Sequence, residues 1–264
     1  MNADAQKKCG WHSALFIFLA VSLIGCSRSN APSPEPTSTP STSEAPPEPI
    51  DPTTVGKITG EVSFDGQPPA RVQVMMNAAA CAQANKEPVF REDLVVNVNK
   101  TLRDVFIYVK DGLGKRRFAA PAEPVILDQK GCWFRPHVLG VMTGQKLEIK
   151  NSDNVSHYIH PVPRVNQEWN ESMAPGAADL FEQFPLPEVM IPVRCNVHQW
   201  MRAYVGVVSS PFFAVTDDRG AFTLNGLPPG NYTIEAWQER LGTQDQKVTL
   251  GPREVKTIQF SFKG

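Results

Sequence analysis

Residues 194–208 read RCNVHQWMRAYVGVV. A cysteine, a histidine and a methionine (Cys195, His198 and Met201) stand at three-residue intervals, and the apolar run AYVGVV follows directly. Period-2 alternation in that run is the mark of a strand with one face in a core. The three residues ahead of it have two readings. In one they close the end of a β-sandwich, with Cys195 as half of a disulfide, His198 as a surface polar group and Met201 as core filler. In the other they form a loop that turns three donors toward one point and holds a metal. The choice depends on what the rest of the chain offers.

Outward from this loop the pattern stays β. Short alternating runs recur, among them KITGEVSF, RVQVMM, DLVVNV, RDVFIYV, QKLEIKN, NYTIEAW and TIQFSF, broken by turns such as FDGQPP, DDRGAF and LPPGNY. No long helical period competes with them. Short helices are expected only near residues 78–85 and 177–181. The fold class is therefore all-β, with sandwich architecture. About 210 residues beyond the N-terminal region suit two sandwiches better than one.

The N-terminal part has a different character. Lys7 and Lys8 precede WHSALFIFLAVSLIG, which ends at Cys26. A basic start with a short apolar run is an export signal, too short to span a membrane as a mature helix. Its end, LIGC, resembles the bacterial lipobox, which implies removal of residues 1–25 and lipidation of Cys26. Residues 26–54 are rich in Pro, Ser and Thr and nearly devoid of apolar side chains, so they read as an extended disordered linker. The protein is expected in the cell envelope, periplasmic or at the outer membrane, touching the membrane through its lipid anchor alone. With 26 Lys and Arg against 27 Asp and Glu, the charge argues against a nucleic-acid partner and against an acidic substrate. No Ser/His/Asp arrangement, phosphate loop or carboxylate pair stands in recognisable context, so an enzyme is not expected.

FAVTDDRGAFTLNGLPPGNYTIEAW, near the C-terminus, resembles the carboxypeptidase regulatory-like, transthyretin-like domain. The strand, Gly-x-Pro turn and second strand that usually open such a domain are missing before Pro211. They occur at the other end of the chain, as ITGEVSFDGQPPARVQVMM. The resemblance implies one transthyretin-like sandwich divided between residues 55–119 and 211–264, with residues 120–210 inserted.

The inserted stretch resembles a cupredoxin. Phe134-Arg135-Pro136, Gly144, Asn151, His157 and the group Cys195, His198 and Met201 follow the order of that family. The Cys-x-x-His-x-x-Met spacing is similar to the short loop of amicyanin and pseudoazurin. What this implies is a Greek-key sandwich with one mononuclear type 1 copper centre, ligated by His157, Cys195, His198 and, weakly, Met201. One thiolate, two imidazoles and an axial thioether suit copper in both oxidation states. Asn151 is implied to hydrogen-bond near the ligand loop and tie two strands, the alternative being a simple turn residue. Tyr158 stands where the family often has Asn. His160 falls on the opposite strand face from His157 and is expected beside the site or at the surface, with a ligand role in place of His157 left open. His137 is expected to be structural, and His198, between Asn196 and Trp200, to be the edge through which electrons pass.

Cys81 and Cys132 lie outside the ligand loop, and an exported protein is expected to pair them as a disulfide. Closing about 50 residues contributes roughly 4 kcal/mol in the chain-entropy account. The function that follows is a lipid-anchored blue-copper protein carrying single electrons between redox proteins, a cytochrome c or a copper or haem oxidoreductase among the candidates. Two alternatives stay open: a copper-handling lipoprotein without redox turnover, and a structural or carbohydrate-binding surface lipoprotein.

Overall fold

The structure is a computed structural model and describes residues 50–264. The expected export signal, Cys26 and most of the expected linker lie outside the described residues. The first segment supplies β1 (Gly56–Asp65), a short helix α1 (Ala79–Ala84), β2 (Val95–Val96), β3 (Leu102–Arg103) and β4 (Phe106–Asp111). The middle supplies β5 (Val125–Gln129), β6 (Phe134–Arg135), β7 (Val138–Met142), β8 (Leu147–Asn151), β9 (His157–Pro161), β10 (Glu171–Met173), β11 (Leu180–Glu182), β12 (Glu188–Arg194) and β13 (Arg202–Val208). The last segment supplies β14 (Phe213–Val215), β15 (Ala221–Leu227), β16 (Gly230–Gln238), β17 (Gly242–Leu250) and β18 (Val255–Lys263).

These strands make two sandwiches. In the first, the sheet β15-β1-β18 faces the sheet β14-β4-β16-β17. Strand β1 runs antiparallel to β15 and parallel to β18, so the two ends of the folded chain share one sheet. Alternation explains the packing: Ile58, Val62 and Phe64 of β1 point inward onto Ile107, Ile234 and Phe260. Each such burial stabilises by roughly 1.5–3 kcal/mol.

The second sandwich is built from residues 125–208. Its sheets are β10-β9-β12-β13-β7 and β11-β8-β5-β6, closed over Leu127, Phe134, Ile149, Ile159, Ile191 and Val205. The two sandwiches meet where β7 and β13 pass under β4 and β14. Gly140 and Gly206 are paired neighbours on the parallel ladder between β7 and β13. A Cβ on Gly140 would stand 2.4 Å from the ring of Phe213, and one on Gly206 would stand 2.5 Å from that of Phe106. The absence of side chains leaves a flat patch of backbone, and the two rings, 5.8 Å apart, lie on it. A polar contact joins the sandwiches alongside: His137 meets the Arg202 carbonyl and the Glu239 carboxylate, and the Tyr204 hydroxyl donates to Glu239 at 2.9 Å.

Two local expectations are corrected. RVQVMM is not a strand: only an isolated bridge joins Gln73 to Phe90, and Val72 and Met75 are exposed. Its alternation finds no continuous sheet edge to join. Residues 177–181 are not helical either. Leu180–Glu182 pairs with Leu147–Ile149 as an edge strand, since so short a segment cannot offset the cost of helix nucleation while a sheet edge supplies hydrogen bonds directly. The helix expected near residues 78–85 is α1.

Candidate metal centre

The loop of residues 195–201 joins β12 to β13, neighbours in one sheet, and is closed by its own backbone. The Cys195 amide donates to the Met201 carbonyl, and the Met201 amide to the His198 carbonyl. This fold-back turns Cys195 and His198 inward beside His157, the first residue of β9. One donor atom from each of His157, Cys195 and His198 lies within 4.8 Å of the other two, and all three residues are buried. Met201 is fully buried in the same core. A soft sulfur with two imidazoles, walled off from water, fits a type 1 copper ion by donor chemistry.

The inward nitrogens are Nδ1. His157 Nδ1 and His198 Nδ1 are 3.0 Å apart, and His198 Nδ1 lies 3.8 Å from Cys195 Sγ. The Tyr158 amide donates to Cys195 Sγ at 3.4 Å. Burial pushes the Cys195 thiol up, but the hydrogen bonds from His157 and from the Tyr158 amide outweigh it and hold the thiol below its usual range. Burial likewise disfavours charge on His157. There the hydrogen bonds to Cys195 and Asp153 prevail, and its pKa rises. His198 is lowered by burial and by the neighbouring His157. The hydrogen bonds between Cys195 and His157 thus favour the charged form of each, while burial and His157 disfavour charge on His198. A metal entering it would displace a proton.

The outward nitrogens are also held. His157 Nε2 lies 2.8 Å from Asp153 Oδ2, a carboxylate that also accepts from the Gly131 and Cys132 amides. A carboxylate behind a ligating imidazole fixes its orientation and raises its basicity. Sequence reasoning missed Asp153. Its one signal was an acid four residues ahead of His157 within the polar turn NSDNVS.

His198 departs from expectation. Its place in the loop suggests an open edge for electrons, yet it is only 5% exposed. Its Nε2 lies 3.6 Å from Cys81 Sγ, and Trp200 covers its ring at 5.2 Å between centroids. Cys81 and Cys132 form a disulfide, and Trp200 donates to the Cys132 carbonyl. The helix carrying Cys81 comes from the first segment, which closes what the loop alone would leave open. Cys132, Asp153 and His157 also lie close together, but the Cys132 sulfur is committed to the disulfide.

Asn151 does not reach the ligand loop. Its amide donates to the carbonyls of Val155 and Met173, and its oxygen accepts from the Asp153 amide, so it shapes the turn ahead of His157 and ties that turn to β10. His160 points away from the cluster, between Asn196 and Glu168 at the surface. His137 stays at the junction of the sandwiches.

Residues 202–263 match the family described as carboxypeptidase regulatory-like domain. The match begins within β13, a strand of the second sandwich, and leaves out β1 and β4 of the first. No curated protein matches the chain. The structure is similar to solved cupredoxins. A methionine-to-alanine variant of amicyanin with Cu(I) is 20% identical, with a TM-score of 0.29 over 38% of this chain and 97% of that one. A purple cupredoxin from Nitrosopumilus maritimus is 17% identical, with a TM-score of 0.27 over 32% and 97%. A copper-containing nitrite reductase from Thermus scotoductus SA-01 is 18% identical, with a TM-score of 0.31, and the chain spans 25% of its length.

Proposed function

We propose that the protein binds one copper ion in a type 1 site and carries single electrons between redox proteins of the cell envelope, held there by a lipid on Cys26. It is read as a carrier and not an enzyme. The observation that carries this is the convergence of His157, Cys195 and His198 within 4.8 Å, from two elements of one sandwich. When bound, the ion would supply a single redox-active electron at nearly constant coordination. The chain supplies the rest. Cys195 is the soft donor, Asp153 holds the His157 ring in place, Met201 offers a weak axial sulfur, and the surrounding core excludes water. The first sandwich serves as a platform. A cytochrome c or a copper or haem oxidoreductase would be the class of partner.

The burial of His198 favours a second reading, a copper-handling protein without redox turnover. Colour separates the two. A thiolate-to-Cu(II) band toward the red of the visible spectrum, bleached by ascorbate and abolished by Cys195→Ser, supports the electron carrier. A colourless protein that takes up only Cu(I) supports handling, and no copper binding at all leaves a structural or carbohydrate-binding lipoprotein.

A further inference from the structure

The Cys81–Cys132 disulfide is placed unlike an ordinary staple. Its two cysteines lie in the core of the second sandwich, 0% and 1% exposed, and Cys81 Sγ lies 3.6 Å from His198 Nε2. Its other half is wired to the second imidazole, because the Cys132 amide and His157 Nε2 share one oxygen of Asp153. Trp200, its ring tilted over that of His198, donates to the Cys132 carbonyl. The disulfide, Asp153 and Trp200 together form a lid over the outer side of both histidines.

That lid has one weak hinge. Helix α1 is six residues long, its start lacks a side-chain cap, and Cys81 is its one buried residue. A helix this short is marginal without a tether. Apart from the disulfide, its ties to the sandwich include the Asn85 side chain, which caps the helix at the Cys81 carbonyl and donates to the Gly131 carbonyl. On the far side a cavity of about 310 Å³, lined among others by Ala80, Gln83, Cys132 and Asp153, lies beside the Cys132 half of the bond.

We propose that the Cys81–Cys132 disulfide is a thiol-sensitive gate over the metal centre, which caps His198 when intact and frees α1 and exposes that imidazole edge when reduced. The chemistry is thiol–disulfide exchange. Two thiols of a small reductant become a disulfide, and their two electrons and two protons pass to Cys81 and Cys132, which become free thiols. In the oxidised protein the centre is shut, and exchange of metal with small chelators is slow. In the reduced protein Nε2 of His198 meets solvent. The identity of the two histidines as ligands rests on the copper reading; the closing of His198 by the disulfide does not.

The test reads histidine accessibility in the full-length, metal-free protein by diethyl pyrocarbonate modification and peptide mass spectrometry. It is run with the bond intact, after phosphine reduction, and in the Cys81→Ser/Cys132→Ser variant. His198 is expected to be unreactive in the oxidised protein and at least tenfold more reactive once the bond is broken, while buried His137 and His157 stay protected and the reactivity of the half-buried His160 stays the same in every state. A His198 that reacts in the oxidised protein overturns the proposal, as does one that stays protected after reduction. Equal exposure of His137, His157 and His198 on reduction also overturns it, because the bond is then only a staple of the fold. A second measurement loads cobalt(II) and follows its removal by EDTA, expected to be at least about tenfold faster with the bond broken, taking the loss of affinity on losing an outer contact as the scale. Failure of cobalt and copper to bind in either state defeats the metal reading, and the modification pattern still decides the gate.

Discussion

The two sandwiches share an architecture and differ at one end. The first closes over an uninterrupted apolar core, with Ile58, Phe64, Ile107, Ile234 and Phe262 meeting between its sheets. The second has a comparable centre in Phe134, Ile149, Ile191 and Val205, but its core runs on into Cys81, Cys132, Cys195 and Met201, with His157 and His198 buried beside them. Sheets packed over apolar side chains hold their shape without help from the end, which leaves the end free for groups that cost stability. A buried imidazole pair and a polar thiol are costly to desolvate. In the second sandwich each has a partner, and Asp153 and the Tyr158 amide carry much of that load.

The largest break in the comparison should come at the junction. Phe106 is fully buried between the sandwiches, and Phe106→Ala removes the ring that lies on Gly206. A loss of about 4 kcal/mol is expected in urea unfolding. If the first sandwich then melts before the second, the junction carries their cooperativity. A single transition at an unchanged midpoint would refute the coupling. Gly206→Ala acts from the other side of the same contact, by overpacking, and should cost about 2 kcal/mol. On the copper reading its visible spectrum should not change, because the added methyl meets Phe106 and Met190 and not the loop of residues 195–201.

A smaller effect is expected from pH at His137 and Glu239. Burial lowers the His137 pKa, but hydrogen bonding to Glu239 outweighs it and leaves the value raised, while the same bond holds Glu239 low against its own desolvation. A raised histidine stabilises the fold below its unfolded value of about 6.5, and that contribution fades as pH climbs through the folded value. A lowered carboxylate stabilises above its unfolded value of about 4.3 and fades as pH falls through the folded value. Both contributions are full between about pH 4.3 and 6.5. The melting temperature of the native protein minus that of His137→Gln should therefore be largest in that window and shrink toward alkaline pH. A difference that grows with pH would refute the assignment. His160→Ala, at the surface, should change stability by less than about 0.5 kcal/mol and leave the visible spectrum nearly intact. A bleached His160→Ala protein would show that β9 lies in another register.

The all-β class was legible because alternation repeats in nearly every segment, and the disulfide because few thiols compete for pairing. What escaped were features that depend on distant residues meeting. RVQVMM has the period of a strand and lacks a sheet to join, a fact set by where β1 and β4 run. Asp153 looks like any acid in a polar turn until Gly131 and Cys132 are brought against it. The cap on His198 comes from Cys81, more than a hundred residues earlier, and no local pattern announces that contact.

Strand β1 and strand β18 lie side by side and parallel, paired from Lys57 with Val255 to Asp65 with Lys263. A pull applied where the described chain begins and resisted where it ends would load this one ladder along its length, in shear, with its hydrogen bonds strained together instead of one after another. Force entering at β1 and leaving at β18 crosses between adjacent strands, and its path does not run through β9, β12 or β13. Mechanical tension on the ends of the chain therefore bypasses the histidines and the cysteine of the second sandwich.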